Sequence, residues 1–317
     1  MTEDKQYMLR CIQLAKNGQM TTAPNPMVGA VIVCDGRIIG EGYHVRCGEA
    51  HAEVNAFASV RPDDEALLPQ STLYVSLEPC SHYGKTPPCA DLIIRKGIRR
   101  CVVGTIDPFA QVQGRGIQRL RDAGIDVTVG VCEDECRELN KRFFTFHQQH
   151  RPFITLKWAQ TQDGYIGLPP SPSQREGERL LISNTLTQTL CHKRRAEHEA
   201  ILVGRRTWEL DQPRLDVRHW TGLNPRRYVL SHTTGDIPTL LHTMWEEGIQ
   251  SLLVEGGRQT LQSFIDAGLW DEAFVETSPQ KLNAEGTPAP QLHHATLRDT
   301  QRYEGHFVRK YVKAPAT

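Results

Sequence analysis

His51 and Glu53 stand two apart in the run His51-Ala52-Glu53, and Pro79-Cys80 and then Cys89 follow downstream. One imidazole and two thiolates are three ligands for a tetrahedral zinc ion, and they leave the fourth position to a water whose pKa the metal lowers. A carboxylate two residues from the imidazole can reach that water without binding the metal and carry a proton from it to a departing amine. This is the residue logic of a zinc deaminase, His-x-Glu with Pro-Cys and a second Cys, although Cys80 and Cys89 have eight residues between them where the usual motif has two. Taken singly, His51 reads sooner as a core histidine than as a ligand, and Cys80 and Cys89 as inert buried thiols. The ordered set is what points to zinc. A structural site would be closed by four protein ligands and would leave Glu53 without a task. Cys132 and Cys136 read as a half-buried helix face, and Cys11, Cys34, Cys47, Cys101 and Cys191 as small core or surface residues.

These side chains need elements that hold them. Glu53 falls near the start of a helical stretch, and Cys89, after Pro87-Pro88 and before ADLIIRKG, falls in the first turn of another, where the helix dipole favours a thiolate. Tyr7, Cys11, Ile12 and Ala15 recur at helical spacing, with Thr2 as N-cap and Gly18 as C-cap. VGAVIV, Asp35-Gly36 and RIIGEG read as a hairpin. TLYVSL, RCVVGT and DVTVGV then alternate with CADLIIRKG, GIQRLRDAG and DECRELNKRF, a pattern for an α/β domain on a largely parallel sheet. TFHQQHRP, residues 145–152, is polar and aperiodic and marks the domain boundary. Beyond it FITLKWA, a loop over 163–175, a helix capped by Asn184, and then AILVG, YVL and SLLVEGG predict a second α/β domain.

A chain of 317 residues exceeds what one core normally serves and favours two domains. Its 37 basic and 37 acidic residues cancel, so no nucleic-acid partner is expected. No apolar run reaches the roughly 20 residues that span a bilayer, and MTEDKQYMLR lacks the regions of a secretory signal, so no membrane contact and a cytoplasmic location are expected. Nine cysteines scattered through a long chain do not suggest a disulfide framework.

The motifs Pro24-Asn25-Pro26-Met27-Val28-Gly29, Gly42-Tyr43-His44, Gly48-Glu49-Ala50-His51-Ala52-Glu53 and Pro79-Cys80-Ser81-His82-Tyr83-Gly84-Lys85-Thr86-Pro87-Pro88-Cys89 occur in that order. Together they resemble the bifunctional diaminohydroxyphosphoribosylaminopyrimidine deaminase and aminophosphoribosylaminouracil reductase family of riboflavin biosynthesis. The segment between the cysteines discriminates most, since other zinc deaminases usually carry only two residues there. In the second half Leu156-Lys157-Trp158-Ala159 with Asp163-Gly164, Arg195-Ala196, the run 200–204, Thr207, Asp211, Pro213, Leu215, Arg218 and Val254-Glu255-Gly256-Gly257 resemble the reductase domain. Arg179 and Leu181 stand where many relatives have a serine and a tryptophan, and Gln212 where an acidic residue is frequent.

The resemblance implies an N-terminal cytidine-deaminase-like three-layer αβα domain over 1–147 and a C-terminal dihydrofolate-reductase-like α/β domain over 148–317. It implies Zn2+ on His51, Cys80 and Cys89, with Glu53 catalytic. Asn25, His44, His82 and Lys85 would hold a phosphoribosylaminopyrimidine: an amide reads a pyrimidine edge, and imidazole and ammonium groups complement a phosphate. In the reductase, Ala159, Thr207, Asp211 and Gly257 would contact NADPH, while Arg195, Leu215, Arg218 and Glu255 would hold the substrate. A glycine pair between a strand and a helix offers N–H groups and a positive dipole end to a pyrophosphate. No GxGxxG fingerprint follows a strand, so the cofactor is not expected to be held in the usual dinucleotide-fold manner. A homo-oligomer is expected from the family. Two other readings stay open on the residues: a deaminase with a non-catalytic second half, and a zinc-stabilised binding module.

Overall fold

The computed structural model describes residues 2–83, 87–109, 112–168, 180–231, 234–283 and 285–314. The chain divides into two compact units, Met1–Gln149 and His150–Thr317. Among the described residues no helix is long and apolar enough to cross a membrane, and the nine cysteines are free thiols.

The first unit runs α1 (Glu3–Ala15), β1 (Gly29–Cys34), β2 (Arg37–Tyr43), α2 (Ala52–Ala58), β3 (Thr72–Leu77), α3 (Cys89–Arg95), β4 (Arg100–Thr105), α4 (Arg115–Asp122), β5 (Asp126–Val129), α5 (Glu133–Leu139) and α6 (Lys141–Gln149). Its sheet has the order β2-β1-β3-β4-β5. The hairpin expected from Asp35-Gly36 is there: Cys34 pairs with Arg37, and both turn residues take positive φ, 48° and 75°, as a two-residue primed turn requires. β1 pairs antiparallel with β2 and β3, whereas β3, β4 and β5 are parallel, so the sheet is mixed. Alternate residues of the strands serve opposite faces. Ile32, Leu73, Val75 and Val103 pack under α2, α3 and α4 through Ala56, Ile93 and Leu120, and Val31, Tyr74 and Val102 pack under α1 and α5 through Met8, Ile12 and Cys136. Helices on both faces make three layers, which explains why the strands read as continuous apolar runs.

Two local expectations change. Thr2 caps α1 by accepting from Lys5 N–H, but the helix ends at Ala15 and Gly18 lies in a following 3₁₀ turn rather than at the C-cap. The reason for glycine there is close approach, since a Cβ at Gly18 would lie 2.6 Å from the His44 carbonyl oxygen. Residues 145–149, read as an irregular boundary, belong to α6, held down by buried Phe143, Phe144 and Thr145.

The second unit runs β6 (Phe153–Gln160), β7 (Tyr165–Gly167), α7 (Thr185–Ala196), β8 (Ala200–Gly204), α8 (Arg205–Asp211), β9 (Arg226–Leu230), α9 (Ile237–Glu246), β10 (Ser251–Val254), α10 (Arg258–Asp266), β11 (Glu272–Thr277), β12 (Thr287–Pro288), β13 (Ala295–Tyr303) and β14 (His306–Lys313). The seven-stranded order is β13-β14-β11-β6-β10-β8-β9, with β7 and β12 as a separate pair. The five strands from β11 to β9 are parallel, and β14 and β13 extend that edge antiparallel. Asn184 caps α7 by accepting from Thr187 N–H at 2.8 Å, as expected. Ile154, Leu156, Leu252 and Ala273 bury one face against Leu241, Met244, Leu261 and Phe264 of α9 and α10. Because β6, β8 and β10 are parallel neighbours, their C-terminal ends lie side by side, which is where open α/β sheets hold ligands.

Candidate functional site

In the first unit the three expected zinc ligands come together. His51 is the N-cap residue of α2, which puts Glu53 in the first turn. Cys89 opens α3, and Cys80 follows the end of β3 by three residues. His51 Nδ1 lies 3.6 Å from Cys80 Sγ and 3.3 Å from Cys89 Sγ, and the ligand atoms of the three all lie within 4.8 Å of one another. Cys89 N–H donates to Cys80 Sγ at 3.3 Å. The donor set fits zinc, with two sulfurs and one nitrogen converging and a fourth side left over. Without a cation the three groups share protons: the neighbouring Cys89 thiol holds Cys80 down to about 4, Cys89 is pushed up by that same contact and by burial, and Cys80 raises His51 to about 9. A bound metal takes the place of those protons. Glu53 is only 3 % exposed, and burial pushes it up to about 7, with the Cys80 charge adding to the effect. A carboxyl poised near neutrality suits proton transfer in both directions.

His44 and Asn25 adjoin this group. The His44 ring meets the His51 ring edge-on at 5.5 Å. Its Nδ1 is 3.0 Å from the Ala50 carbonyl and its Nε2 is 3.2 Å from the Asn25 amide nitrogen. Burial lowers the His44 pKa, so the ring is a neutral imidazole that donates through Nδ1 and accepts from Asn25 at Nε2. His82 is exposed, its ring 6.5 Å from Phe109. Lys85 lies outside the described residues. Phe109 and His147, whose rings are 5.1 Å apart, extend the same aromatic group; neither carried a motif signal.

In the second unit Arg195 and Glu255, expected as separate substrate contacts, face each other. Arg195 donates from Nε and Nη2 to the two Glu255 oxygens at 3.0 and 2.6 Å, and from Nη1 to the Asp216 carbonyl at 3.1 Å. Burial works to raise Glu255, but Arg195 outweighs it and holds the carboxyl at about 2. The Cys191 thiol donates to the same carboxylate. Lys157, quoted in the opening strand but given no role there, joins this charge cluster: burial opposes its ammonium, and Cys191, Glu255 and Glu276 outweigh that and raise its pKa. A lysine inside the otherwise apolar run FITLKWA was the available signal. Glu276 was also missed; it is buried and accepts from Ser183 Oγ, Thr187 Oγ1 and His306 Nδ1 at 2.6, 2.7 and 2.8 Å.

Leu215 takes φ 50° and turns its side chain into the core with Ile201, Val203 and Leu253, so what it can offer a ligand is backbone. Arg218 is exposed and paired with Asp216. Thr207, in the first turns of α8, accepts from Gly257 N–H at 3.2 Å, which joins two expected cofactor contacts across strand ends. Asp211 closes α8, and Ala159 sits beside Glu276 in the ladder. NADPH fits this end of the sheet: Gly257 is the N-cap of α10 with no side-chain cap, and apart from Gly257 N–H, which Thr207 accepts, the first-turn N–H groups and the positive end of the helix are suited to a phosphate. Of the two divergent positions, Leu181 is 77 % exposed and Arg179 lies outside the described residues.

Residues 1–105 match the family model of the cytidine and deoxycytidylate deaminase zinc-binding region, and residues 152–300 match the RibD C-terminal domain. The chain is 40 % identical to the riboflavin biosynthesis protein RibD of Aquifex aeolicus, over 94 % of this chain and 92 % of that protein. Among solved structures, a diaminohydroxyphosphoribosylaminopyrimidine deaminase/5-amino-6-(5-phosphoribosylamino)uracil reductase from Thermotoga maritima is 33 % identical, with a TM-score of 0.84 over 98 % of this chain and 99 % of that one. Acinetobacter baumannii RibD is 29 % identical, with a TM-score of 0.86 over 98 % of each chain. Matched across both units, the chain belongs to the RibD family of riboflavin biosynthesis proteins, and it is a bifunctional enzyme that joins a zinc deaminase to an NADPH-dependent reductase.

Proposed function

We propose that the first unit hydrolytically deaminates 2,5-diamino-6-(5-phosphoribosylamino)pyrimidin-4(3H)-one and that the second reduces the ribosyl side chain of the product to ribityl with NADPH. The observation that carries the reading is the convergence of His51, Cys80 and Cys89 within 4.8 Å beside a buried Glu53. Zinc held by these three residues supplies an acidified water as nucleophile. Glu53 takes the proton from the nucleophile and returns it to the leaving ammonia, for which a carboxyl near 7 is matched to neutral pH. Asn25, oriented by its contact with His44, reads the pyrimidine edge, and His82 and Lys85 complement the phosphate.

In the second unit, Ala159, Thr207, Asp211 and Gly257 line the cofactor side, and NADPH supplies the hydride. Arg218 and the backbone at Leu215 take the phosphoribosyl end. The Arg195–Glu255 pair, with Lys157 beside it, is a charged wall that orients the substrate. A homo-oligomeric cytosolic enzyme acting on this small molecule, without nucleic acid, completes the reading.

The test is to incubate the zinc-loaded protein with the diaminopyrimidinone and follow product masses. A gain of about one mass unit without NADPH and about two more with it is expected for an amine replaced by oxygen and then a hydride and proton added. A gain of one unit under both conditions would leave a deaminase with a non-catalytic second half, and no gain would overturn the substrate.

A further inference from the structure

We infer that Glu78, which belongs to neither the ligand set nor the proton pathway, is the positioning residue that sets Cys80 in the zinc site. Glu78 lies between the end of β3 and Pro79-Cys80. Its carboxylate is 4 % exposed and accepts four backbone N–H groups: Asp107 at 3.2 Å and Gly114 at 2.9 Å on Oε2, Gly116 at 2.9 Å and Ile117 at 3.3 Å on Oε1. An ionised carboxylate has about four acceptor positions, so this one has none left for a metal or a substrate proton. Its task is mechanical.

α4 begins after Gly114, which has φ 75° and supplies no capping side chain. Glu78 is therefore the cap of α4 brought from another part of the chain, with its negative charge at the positive end of the helix. The fit around it has no slack. A Cβ on Gly116 would lie 1.9 Å from the Pro79 carbonyl oxygen, so α4 presses directly on the peptide that precedes Cys80. On its other side Cys80 is bound to the start of α3, its carbonyl accepting from Ala90 N–H at 3.2 Å and its sulfur from Cys89 N–H at 3.3 Å. Cys80 is thus clamped between two helix starts, and Glu78 closes the clamp on the α4 side. The same carboxylate fixes Asp107, whose Oδ1 accepts from Phe109 N–H at 2.8 Å, so it also places the aromatic ring that meets His82 and His147.

The amide introduced by Glu78→Gln has nearly the same shape as the carboxylate but turns an NH2 toward two of the four N–H donors, which frees the Pro79-Cys80 peptide to shift. The inference rests on the zinc-site reading above, and a cobalt(II)-loaded protein keeps the two separable, because its thiolate-to-metal and d–d absorption reports ligand geometry without turnover. Glu78→Gln is expected to change that spectrum and to lower deamination kcat about ten- to hundredfold, with KM shifted less than about threefold and reduction of supplied aminouracil unchanged. Gly116→Ala, which presses on Pro79 from the α4 side, is expected to move the spectrum as well, and Glu78→Asp, which keeps the charge, to recover part of the rate. A wild-type cobalt spectrum with kcat within about twofold in Glu78→Gln, or in Gly116→Ala should the first variant not fold, would overturn the clamp on Cys80 and Glu78's part in it. A wild-type protein that binds no cobalt would overturn the zinc site together with it.

Discussion

The candidate zinc site of the first unit draws its donor residues from short contiguous motifs, each at a helix start or just past a strand end, and their donor atoms converge within 4.8 Å of one another. The charged group of the second unit is assembled differently. Arg195 and Glu255 are 60 residues apart in sequence and are brought face to face by parallel packing, with their hydrogen-bonding capacity directed largely at each other. The first site is thus organised for something it binds, and the second is organised by its own internal ion pair before any ligand arrives. The physical lesson is that three potential metal ligands repel or share protons until a cation joins them, whereas a buried bidentate arginine and carboxylate neutralise one another and hold the backbone around them in register.

The strongest way to break this comparison is Glu53→Gln. Deamination is expected to fall at least about 10²-fold while reduction of supplied aminouracil keeps its rate; parallel loss of both activities in a coupled assay would show that the two sites are not independent. Next in size is Arg195→Ala, which strands the Glu255 carboxylate in a buried setting and should destabilise the second unit by about 3–5 kcal/mol in denaturant unfolding. A double variant, Arg195→Met with Glu255→Gln, removes both charges and should recover much of that loss. If the single and double variants were equally unstable, the pair would matter for shape rather than charge.

Acid provides the third test. Glu255 has its carboxyl lowered from 4.5 to about 2 in the folded state. A depressed carboxylate contributes its stability fully above the unfolded value and loses it as pH falls toward the folded one, so the contribution drains between about pH 4.5 and pH 2. The shift corresponds to about 3 kcal/mol. Unfolding of Glu255→Gln should therefore depend less on pH across that window than unfolding of the parent chain, and equal slopes would argue that Glu255 is not the group responsible. The smallest effect is expected from Thr207→Ala, which removes the acceptor of Gly257 N–H. A loss of about 1 kcal/mol, or roughly fivefold in NADPH dissociation constant by fluorescence titration, is expected; an unchanged constant would place Thr207 in loop support alone.

Much of the fold was legible because its signals are local. The Asp35-Gly36 turn, the Thr2 and Asn184 caps and the alternation of apolar runs depend on residues within a few positions of one another, and each appears where expected. Gly18 was misread for the opposite reason: its small size answers to the His44 carbonyl in a later strand's wake, not to its own helix end. Residues 145–149 looked like a linker because their polar side chains hid a helix that continues from Phe143 and Phe144.

By itself the sequence pointed to His51, Cys80 and Cys89 as one donor set, to Glu53 beside it and to the two-unit α/β plan, since zinc chemistry demands particular residue types and helix starts are written in a few neighbouring residues. Only the tertiary structure decided that Arg195 faces Glu255, that Leu215 turns inward, that Lys157 enters a charge cluster and that Glu78 caps a helix it does not belong to. Those pairings join segments tens of residues apart, and which carboxylate meets which donor is settled by how helices cross the sheet, a geometry that no short stretch of residues encodes.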